Sequence, residues 1–226
     1  VAVLEGDAIG FGATGRNAGF ILAGVAERHS RVAALFGEQR ARDLWSLTLR
    51  NHRLMADAIN EFKIDCDYEQ RGSIQLSSSG QEDDELQASA SLLEKDGFPG
   101  RYLPPGSLPA VYRGAGFGGA LEIPSDGALD PVRFVRGLAS ACEGLGVQIF
   151  EGSIVVDVDA QTLGDVRVKT EGGSIKAMAA LLCTNALAGD LAPVLKAQVD
   201  PNRGQMLATA PIPPLFDRPV YANHGF

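Results

Sequence analysis

The chain opens on an apolar, β-branched run that ends in an acidic residue and is followed by a glycine-rich stretch. Val1-Ala2-Val3-Leu4 precedes Glu5, and four glycines fall between positions 10 and 19. A continuous apolar run of this length predicts a strand buried on both faces in a parallel sheet. Glycines let backbone amides approach an anion closely. A helix beginning around Arg16–Ala18 would point its positive N-terminus at that anion. The order of strand, acid and glycines therefore favours an α/β fold.

Glu5 is the first candidate functional residue, because it follows the predicted strand directly. An acid at the carboxyl end of a parallel strand can accept hydrogen bonds from both ribose hydroxyls of an adenine dinucleotide. A surface acid beside a turn glycine would have the same sequence, and a glycine-rich stretch can also be a flexible surface loop. Both alternatives stay open at this point. The G-x-G-x-x-G that would make Glu5 specific is expected roughly 20 residues upstream, before the first residue.

Composition excludes several classes of function. The 226 residues carry a formal net charge of -8, with 45% hydrophobic and 21% charged residues. Without a Lys/Arg-rich run, nucleic acid and anionic membranes are poor partners. No apolar run approaches the roughly 20 residues that span a bilayer. Cysteines and histidines are too scattered for a disulfide framework or a metal site, which favours a reducing cytoplasm; they are Cys66, Cys142, Cys183, His29, His52 and His224.

Hydrophobic periodicity predicts three helices. The longest covers about 38–62, with one face formed by Leu44, Leu47, Leu54, Ala58, Ile59 and Phe62. A polar surface helix is expected over 82–94. The third begins at Asp130-Pro131, where Asp can cap free amides and Pro suits the first turn. It ends before Gly146, a residue suited to a left-handed cap.

Strands are predicted on both sides of that last helix. Residues 72–77 alternate like a strand, and 147–150 follow the helix as the second half of a βαβ unit. Three short runs at 154–159, 166–170 and 174–178, separated by glycine turns, predict an antiparallel meander. The apolar run 179–184 predicts another buried strand. The chain thus combines parallel α/β units with a β-rich region at about 65–124.

Several of these segments together resemble the D-amino-acid oxidase superfamily of flavoproteins, the group of glycine oxidase, sarcosine oxidase and gamma-glutamylputrescine oxidase. Glu5 and the run Gly12-Ala13-Thr14-Gly15-Arg16-Asn17-Ala18-Gly19 resemble the segment after the second strand of that family. Gly152-Ser153-Ile154-Val155-Val156 is similar to the strand whose valine backbone meets the adenine. Thr184-Asn185-Ala186 resembles the small-residue turn near the FAD phosphates. Further segments follow the family in order: 72–76, 126–131, 201–206 and 221–226.

The resemblance implies an α/β fold with a partial Rossmann-like FAD-binding domain and an inserted α+β substrate domain built on an antiparallel sheet. Residues 1–64 and 125–200 would form the FAD-binding domain, and 65–124 and 201–226 the substrate domain. The residues expected to bind FAD are Glu5, Gly12, Ala13, Thr14, Gly15, Arg16, Asn17, Ala18, Gly19, Val155, Thr184, Asn185 and Ala186.

The implied reaction is oxidation of the C–N bond of a small amine or amino acid, with hydride transfer to the flavin and an imine as product. No side-chain nucleophile is needed for this chemistry. His224 is a candidate in the substrate pocket, and Arg203 a candidate partner of a carboxylate, although a structural histidine and a turn anchor are the alternatives.

Two rival functions remain. One is a non-catalytic binding or regulatory module that keeps the flavoprotein scaffold. The other is a nicotinamide-dependent dehydrogenase, which is disfavoured because the glycines follow Glu5 rather than precede it. The resemblance also implies that the start and the end of such an enzyme lie outside these residues. We therefore expect this chain alone to expose apolar neighbours of a missing strand and to bind FAD weakly or not at all.

Overall fold

A computed structural model describes residues 1–113, 116–162, 164–201 and 204–222. The chain divides into two compact units, each assembled from two separate stretches. The first unit comprises Val1–Arg16 and Leu138–Met206, and the second comprises Asn17–Gly137 and Leu207–Phe226. The expected division into FAD-binding and substrate segments concerns ligand binding and stays a prediction.

Helices and strands alternate irregularly along the described chain. In order, they are β1 (Ala2–Leu4), β2 (Phe20–Ile21), α1 (His29–Phe36), α2 (Glu38–Glu61), β3 (Ser73–Leu76), α3 (Gly80–Lys95), β4 (Arg101–Leu103), α4 (Ala110–Arg113), β5 (Ala120–Ile123), β6 (Gly127–Ala128), α5 (Pro131–Gly144), β7 (Gln148–Phe150), β8 (Val155–Thr162), β9 (Asp165–Thr170), β10 (Gly173–Ala177), α6 (Ala188–Leu191), α7 (Pro193–Lys196) and β11 (Val220–Ala222).

A parallel strand pair forms the start of the first unit. Strand β1 pairs with β7, with Val3 opposite Ile149. The expected helix start is also present: Asp130 accepts hydrogen bonds from the amides of Val132 and Arg133, both at 2.9 Å, and caps α5. Burial of β1 on both faces was a wrong prediction, since Val3 is 39% exposed. Among the described residues β7 is the one strand that pairs with β1, so the other edge of β1 has no strand partner.

The predicted meander is confirmed as a three-stranded antiparallel sheet in the order β10-β9-β8. The predicted buried strand at 179–184 is wrong. This run has no regular secondary structure, and Leu181 is 88% exposed. An apolar run becomes a strand only where another strand offers backbone partners, and within the described residues none pairs with this one.

The second unit is built on a four-stranded sheet in the order β11-β3-β5-β4. Strand β3 lies inside it, parallel to β11 and antiparallel to β5, and all four of its residues are buried. Helix α3 begins at Ser79, whose hydroxyl accepts the Glu82 amide at 3.2 Å. A core cluster joins the helices to the sheet and contains Ala23, Trp45, Leu86, Ala90, Leu93, Leu121 and Ile123.

Helix α2 has the predicted extent, but a different face is buried. Its buried residues are Ala41, Trp45, His52 and Ile59, whereas Leu47 and Leu54 are more than half exposed. The buried stripe includes a histidine because the His52 ring reaches the Ser125 carbonyl at 3.3 Å. A carbonyl can only accept, so Nδ1 carries the proton in this contact. Among the described residues, no helix is both long and apolar enough to cross a membrane.

Candidate functional site

Glu5 extends the parallel pairing beyond β1. Its amide donates to the Phe150 carbonyl at 2.9 Å, which fixes the residue at the carboxyl end of the strand. Its side chain is half-buried, and Oε1 accepts the Asp7 amide at 3.0 Å. This contact orients the carboxylate at the position where an acid can accept hydrogen bonds from ribose hydroxyls.

The predicted adenine segment lies directly against the Glu5 turn. The Ser153 amide donates to the Glu5 carbonyl, and the Gly152 amide donates to the Asp7 carbonyl, both at 2.8 Å. A Cβ placed on Gly6 would lie 3.4 Å from the Ile154 side chain, so little space separates the two segments. Val155 then starts β8, opposite Thr170. Two motifs about 150 residues apart in sequence are thus brought together, as the resemblance implies.

The glycine-rich run does not start an α-helix, contrary to the sequence prediction. Ala13–Gly15 form one 3₁₀ turn, in which the Gly15 amide donates to the Gly12 carbonyl at 3.2 Å. The Arg16 guanidinium lies 4.4 Å from the centre of the Phe11 ring, a cation–π contact. The helix is absent because Phe20–Ile21 must be extended to pair with β6. This short turn offers no helix dipole to a phosphate.

Asn17, Ala18 and Gly19 belong to the second unit, where they lead into β2. The Asn17 side-chain oxygen accepts the Gly19 amide at 2.8 Å, a local turn typical of Asn. Gly19 has φ +70°, and a Cβ there would lie 2.0 Å from the Leu129 carbonyl oxygen. Position 19 therefore requires glycine for packing, independently of any ligand.

Asp126 is a buried carboxyl residue that the sequence analysis named only as the start of a motif. It is fully buried and accepts the Ala23 amide at 2.8 Å and the Ser73 hydroxyl at 2.6 Å. Burial raises the pKa of Asp126 to about 6, although both hydrogen bonds oppose the shift. Burial also raises the pKa of Tyr221, with a smaller contribution from the Asp126 charge. One sequence signal could have pointed to Asp126. Ser73 is a polar residue at the start of a predicted strand, and a buried hydroxyl there needs a hydrogen-bond partner.

The positions of the remaining predicted site residues neither support nor oppose cofactor binding. Thr184, Asn185 and Ala186 lie in the first unit, where the Leu187 amide donates to the Thr184 carbonyl at 3.0 Å. Asn185 adopts φ +49°, which asparagine tolerates better than most residues. In the described part of the chain, no hydrogen bond joins this turn to Glu5. His224 and Arg203 lie outside the described residues.

The cysteines and histidines of the described part of the chain are not grouped as metal ligands. No group of three or more His, Cys, Asp or Glu side chains there can hold a metal ion. All three cysteines are free. Cys66 is buried, and burial raises the pKa of its thiol. A buried thiol of this kind is a poor nucleophile, because the thiolate is the reactive form.

A family model described as "DAO: FAD dependent oxidoreductase" matches residues 1–225. The chain belongs to this family. The resemblance inferred from Glu5, the glycine-rich run and the segment 152–156 is thereby confirmed, and so is FAD as the cofactor of the family. Because the match covers nearly the whole sequence, it includes both units.

Curated relatives are similar along most of the chain. It is 32% identical over 187 residues to the probable oxidoreductase OrdL of Haemophilus influenzae. It is 28% identical over 211 residues to gamma-glutamylputrescine oxidoreductase of Escherichia coli, and 26% over 235 residues to glycine oxidase of Geobacillus kaustophilus. These alignments cover 82%, 92% and 100% of this chain but 43%, 49% and 59% of the relatives. The chain thus spans about half the length of these relatives.

Solved structures confirm the fold class. The crystal structure of glycine oxidase from Geobacillus kaustophilus superposes with a TM-score of 0.72 at 24% identity, covering 85% of this chain and 50% of that chain. NikD, an amino acid oxidase of nikkomycin biosynthesis, superposes with a TM-score of 0.62 at 18% identity, covering 86% and 47%. At these identities the likeness concerns the fold alone.

Proposed function

We propose that the protein is an FAD-dependent oxidoreductase that oxidises the C–N bond of an amino acid or a small amine to an imine. The observation that carries this proposal is the contact between the Glu5 turn and Gly152–Ser153, which joins two distant motifs of the FAD-dependent family. The substrate class comes from relatives named for glycine and for gamma-glutamylputrescine, which share an amine nitrogen on carbon.

The described residues fit the adenosine end of FAD. The Glu5 carboxylate would accept the ribose hydroxyls, and the backbone around Val155 would face the adenine. In the loop after Glu5, a Cβ at Gly12 would meet no atom within 4 Å, so this backbone is open to close approach by a ligand. Ala13–Arg16 and Asn17–Gly19 would contact other parts of the cofactor, as would Thr184–Ala186. When bound, FAD supplies the acceptor for the hydride that leaves the carbon next to nitrogen.

The role of this chain's own residues is to bind and orient rather than to attack. The substrate carbon loses a hydride and its nitrogen loses a proton, which leaves an imine that water hydrolyses. None of these steps requires a protein nucleophile, in keeping with the buried Cys66 thiol. His224 stays a candidate for the substrate pocket. Free cysteines are typical of a reducing compartment, which supports a cytoplasmic location.

Anaerobic spectroscopy of the full-length protein tests the proposal. We expect a flavin absorbance band that glycine, sarcosine or gamma-glutamylputrescine bleaches when oxygen is excluded. A flavin band that no amine or amino acid bleaches would favour the non-catalytic module instead. Reduction of NAD⁺ or NADP⁺ without any bound flavin would favour the nicotinamide-dependent dehydrogenase.

A further inference from the structure

The segment that starts at Asp126 pairs with the backbone at the end of the glycine-rich run and just after it, from Gly19 to Ala23. At one end, the Leu129 amide donates to the Gly19 carbonyl at 2.9 Å. In the middle, β2 and β6 pair antiparallel, with Ile21 opposite Gly127. At the other end, the Ala23 amide donates to the Asp126 carboxylate at 2.8 Å. The backbone after Asn17–Gly19 is therefore fixed by one short segment.

Asp126 is the side chain that connects this ladder to the sheet. One carboxylate oxygen accepts the Ala23 amide, and the other accepts the hydroxyl of Ser73 on β3. Ser73 and Asp126 are both fully buried. The turn before Asp126 is held as well, because the Ser125 carbonyl accepts from Gln70 at 3.1 Å and from the His52 ring at 3.3 Å. The carboxylate thus ties the backbone that follows the run, at Ala23, to a turn that is itself held by hydrogen bonds.

We propose that Asp126 is a positioning residue for the cofactor, acting through the Ala23 amide to hold Asn17–Gly19 in place. This inference rests on the proposed function only through FAD as the bound group. Burying a carboxylate to accept from one amide and one hydroxyl carries a desolvation penalty that a neutral side chain would avoid. In return, hydrogen bonds to an ionised acceptor are stronger and more directional than neutral ones.

The test compares Asp126→Ala and Asp126→Asn in the full-length protein. Asn keeps an oxygen for the Ala23 amide, whereas Ala removes both acceptors. Peptide-resolved hydrogen exchange at Ala23 should accelerate about 10- to 100-fold in the Ala variant, as expected for losing a hydrogen bond to a charged group. The dissociation constant for FAD should rise about 10-fold, with a shift in the visible flavin spectrum. Asp126→Asn keeps a weaker, neutral acceptor for the Ala23 amide, so its exchange rate and spectrum should lie between those of wild type and Asp126→Ala.

Asp83 provides a matched control in the same unit. Its carboxylate also accepts a backbone amide, from Gly119 at 2.7 Å, and two hydroxyls, from Ser77 at 2.9 Å and Tyr102 at 2.6 Å. It lies in the first turn of α3, and none of these three donors belongs to the glycine-rich run. Asp83→Ala should lower stability and leave the flavin spectrum unchanged.

Two results would overturn the positioning role. One is faster exchange at Ala23 in Asp126→Ala with wild-type FAD affinity and spectrum. The other is a folded Asp126→Asn variant that restores neither. If Asp126→Ala does not fold, Ser73→Ala removes one of the two donors and should change the spectrum in the same direction but less; an unchanged spectrum in Ser73→Ala then counts against the role. If wild-type protein binds FAD but no amine reduces the flavin, the proposed function is contradicted. The positioning role of Asp126 can still be tested, because it depends only on FAD binding.

Discussion

Two carboxylates of the second unit, one half-buried and one fully buried, accept similar hydrogen bonds but have pKa values shifted in opposite directions. Burial works to raise the pKa of Asp83, but hydrogen bonds from Tyr102, Ser77 and Gly119 outweigh it and hold that pKa below its usual value. Asp126 has two donors and complete burial, so desolvation wins and its pKa rises to about 6. The number of donors relative to the depth of burial decides the direction.

The raised pKa of Asp126 predicts a pH dependence of stability. An ordinary Asp titrates near about 3.9 in the unfolded chain, so the folded state binds this proton more tightly. The stability from this group is complete below the unfolded pKa and is lost as pH rises through about 6. At about 1.4 kcal/mol per pKa unit, the loss is about 3 kcal/mol. Tyr221 also faces Asp126, but its own pKa is raised and it stays neutral in this window.

Urea unfolding of wild type and Asp126→Asn at pH 4.5, 5.5, 6.5 and 7.5 measures this effect. The free energy of unfolding of wild type should fall relative to that of Asp126→Asn across the series, because the amide does not titrate. Asp83→Asn is the control. The pKa of the Asp83 carboxyl is lowered in the wild type, so the difference in unfolding free energy between wild type and Asp83→Asn should change only in more acidic solution. A constant difference between wild type and Asp126→Asn would show that Asp126 does not titrate in this range.

Sequence could predict a residue's structural position where the pattern is local. Glu5 lies directly after its strand, and Asp130 caps the amides of the helix that begins beside it, so short-range pattern was enough for both positions. The role of Asp126 could not be predicted this way. Its donors at Ala23 and Ser73 are 103 and 53 residues away, and only the folded chain brings them together.

At the scale of elements, periodicity predicted which segments are regular but not always what surrounds them. The extent of α2 was right because its periodic pattern is long, and the β8–β10 meander was right because short alternating runs separated by glycine turns favour hairpins. The buried face of α2 was wrong: Leu47 is 61% exposed, while His52 is buried and its ring donates to the Ser125 carbonyl of another segment. The strand expected at 179–184 also failed for lack of a pairing partner among the described residues. Partners from distant sequence decided each case.

The glycine-rich run provides a prediction that separates folding from binding. Gly19→Ala places a Cβ 2.0 Å from the Leu129 oxygen at a φ of +70°. We expect a loss of about 2–5 kcal/mol in the free energy of unfolding from left-handed strain and overpacking. Gly12→Ala meets no atom within 4 Å and has φ -75°, so stability should change little.

Urea unfolding and FAD titration of both variants in the full-length protein make the comparison. If Gly12 lies against FAD, Gly12→Ala should weaken FAD binding while its unfolding midpoint matches wild type. Equal stability of Gly19→Ala and wild type would contradict the packing described for position 19. Unchanged FAD affinity in Gly12→Ala would remove Gly12 from the cofactor-binding set.

At the scale of the whole molecule, the chain passes between its two units three times, after Arg16, Gly137 and Met206. Helix α5 continues through one of these crossings and the glycine-rich run through another, so neither crossing coincides with a break between elements. The family could nevertheless be inferred, since motif order survives such interleaving. Under the proposed function these motifs share one ligand, FAD, and its effect on stability can be measured on the whole protein.

Ligand linkage provides the last prediction. FAD at about 100 times its dissociation constant should stabilise the full-length protein by about 2.7 kcal/mol. Glu5→Gln removes the charged acceptor for the ribose hydroxyls, and a roughly 10-fold weaker affinity would cost about 1.4 kcal/mol of that stabilisation, or about 3–5 °C in Tm. Glu61→Gln is the matched control, since it makes the same charge change at an exposed helix position. Thermal melts with and without FAD should show a reduced shift in Glu5→Gln, a full shift in Glu61→Gln and similar apoprotein Tm values. A full FAD shift in Glu5→Gln would mean that the ribose is held elsewhere, and Glu5 would lose its assigned role.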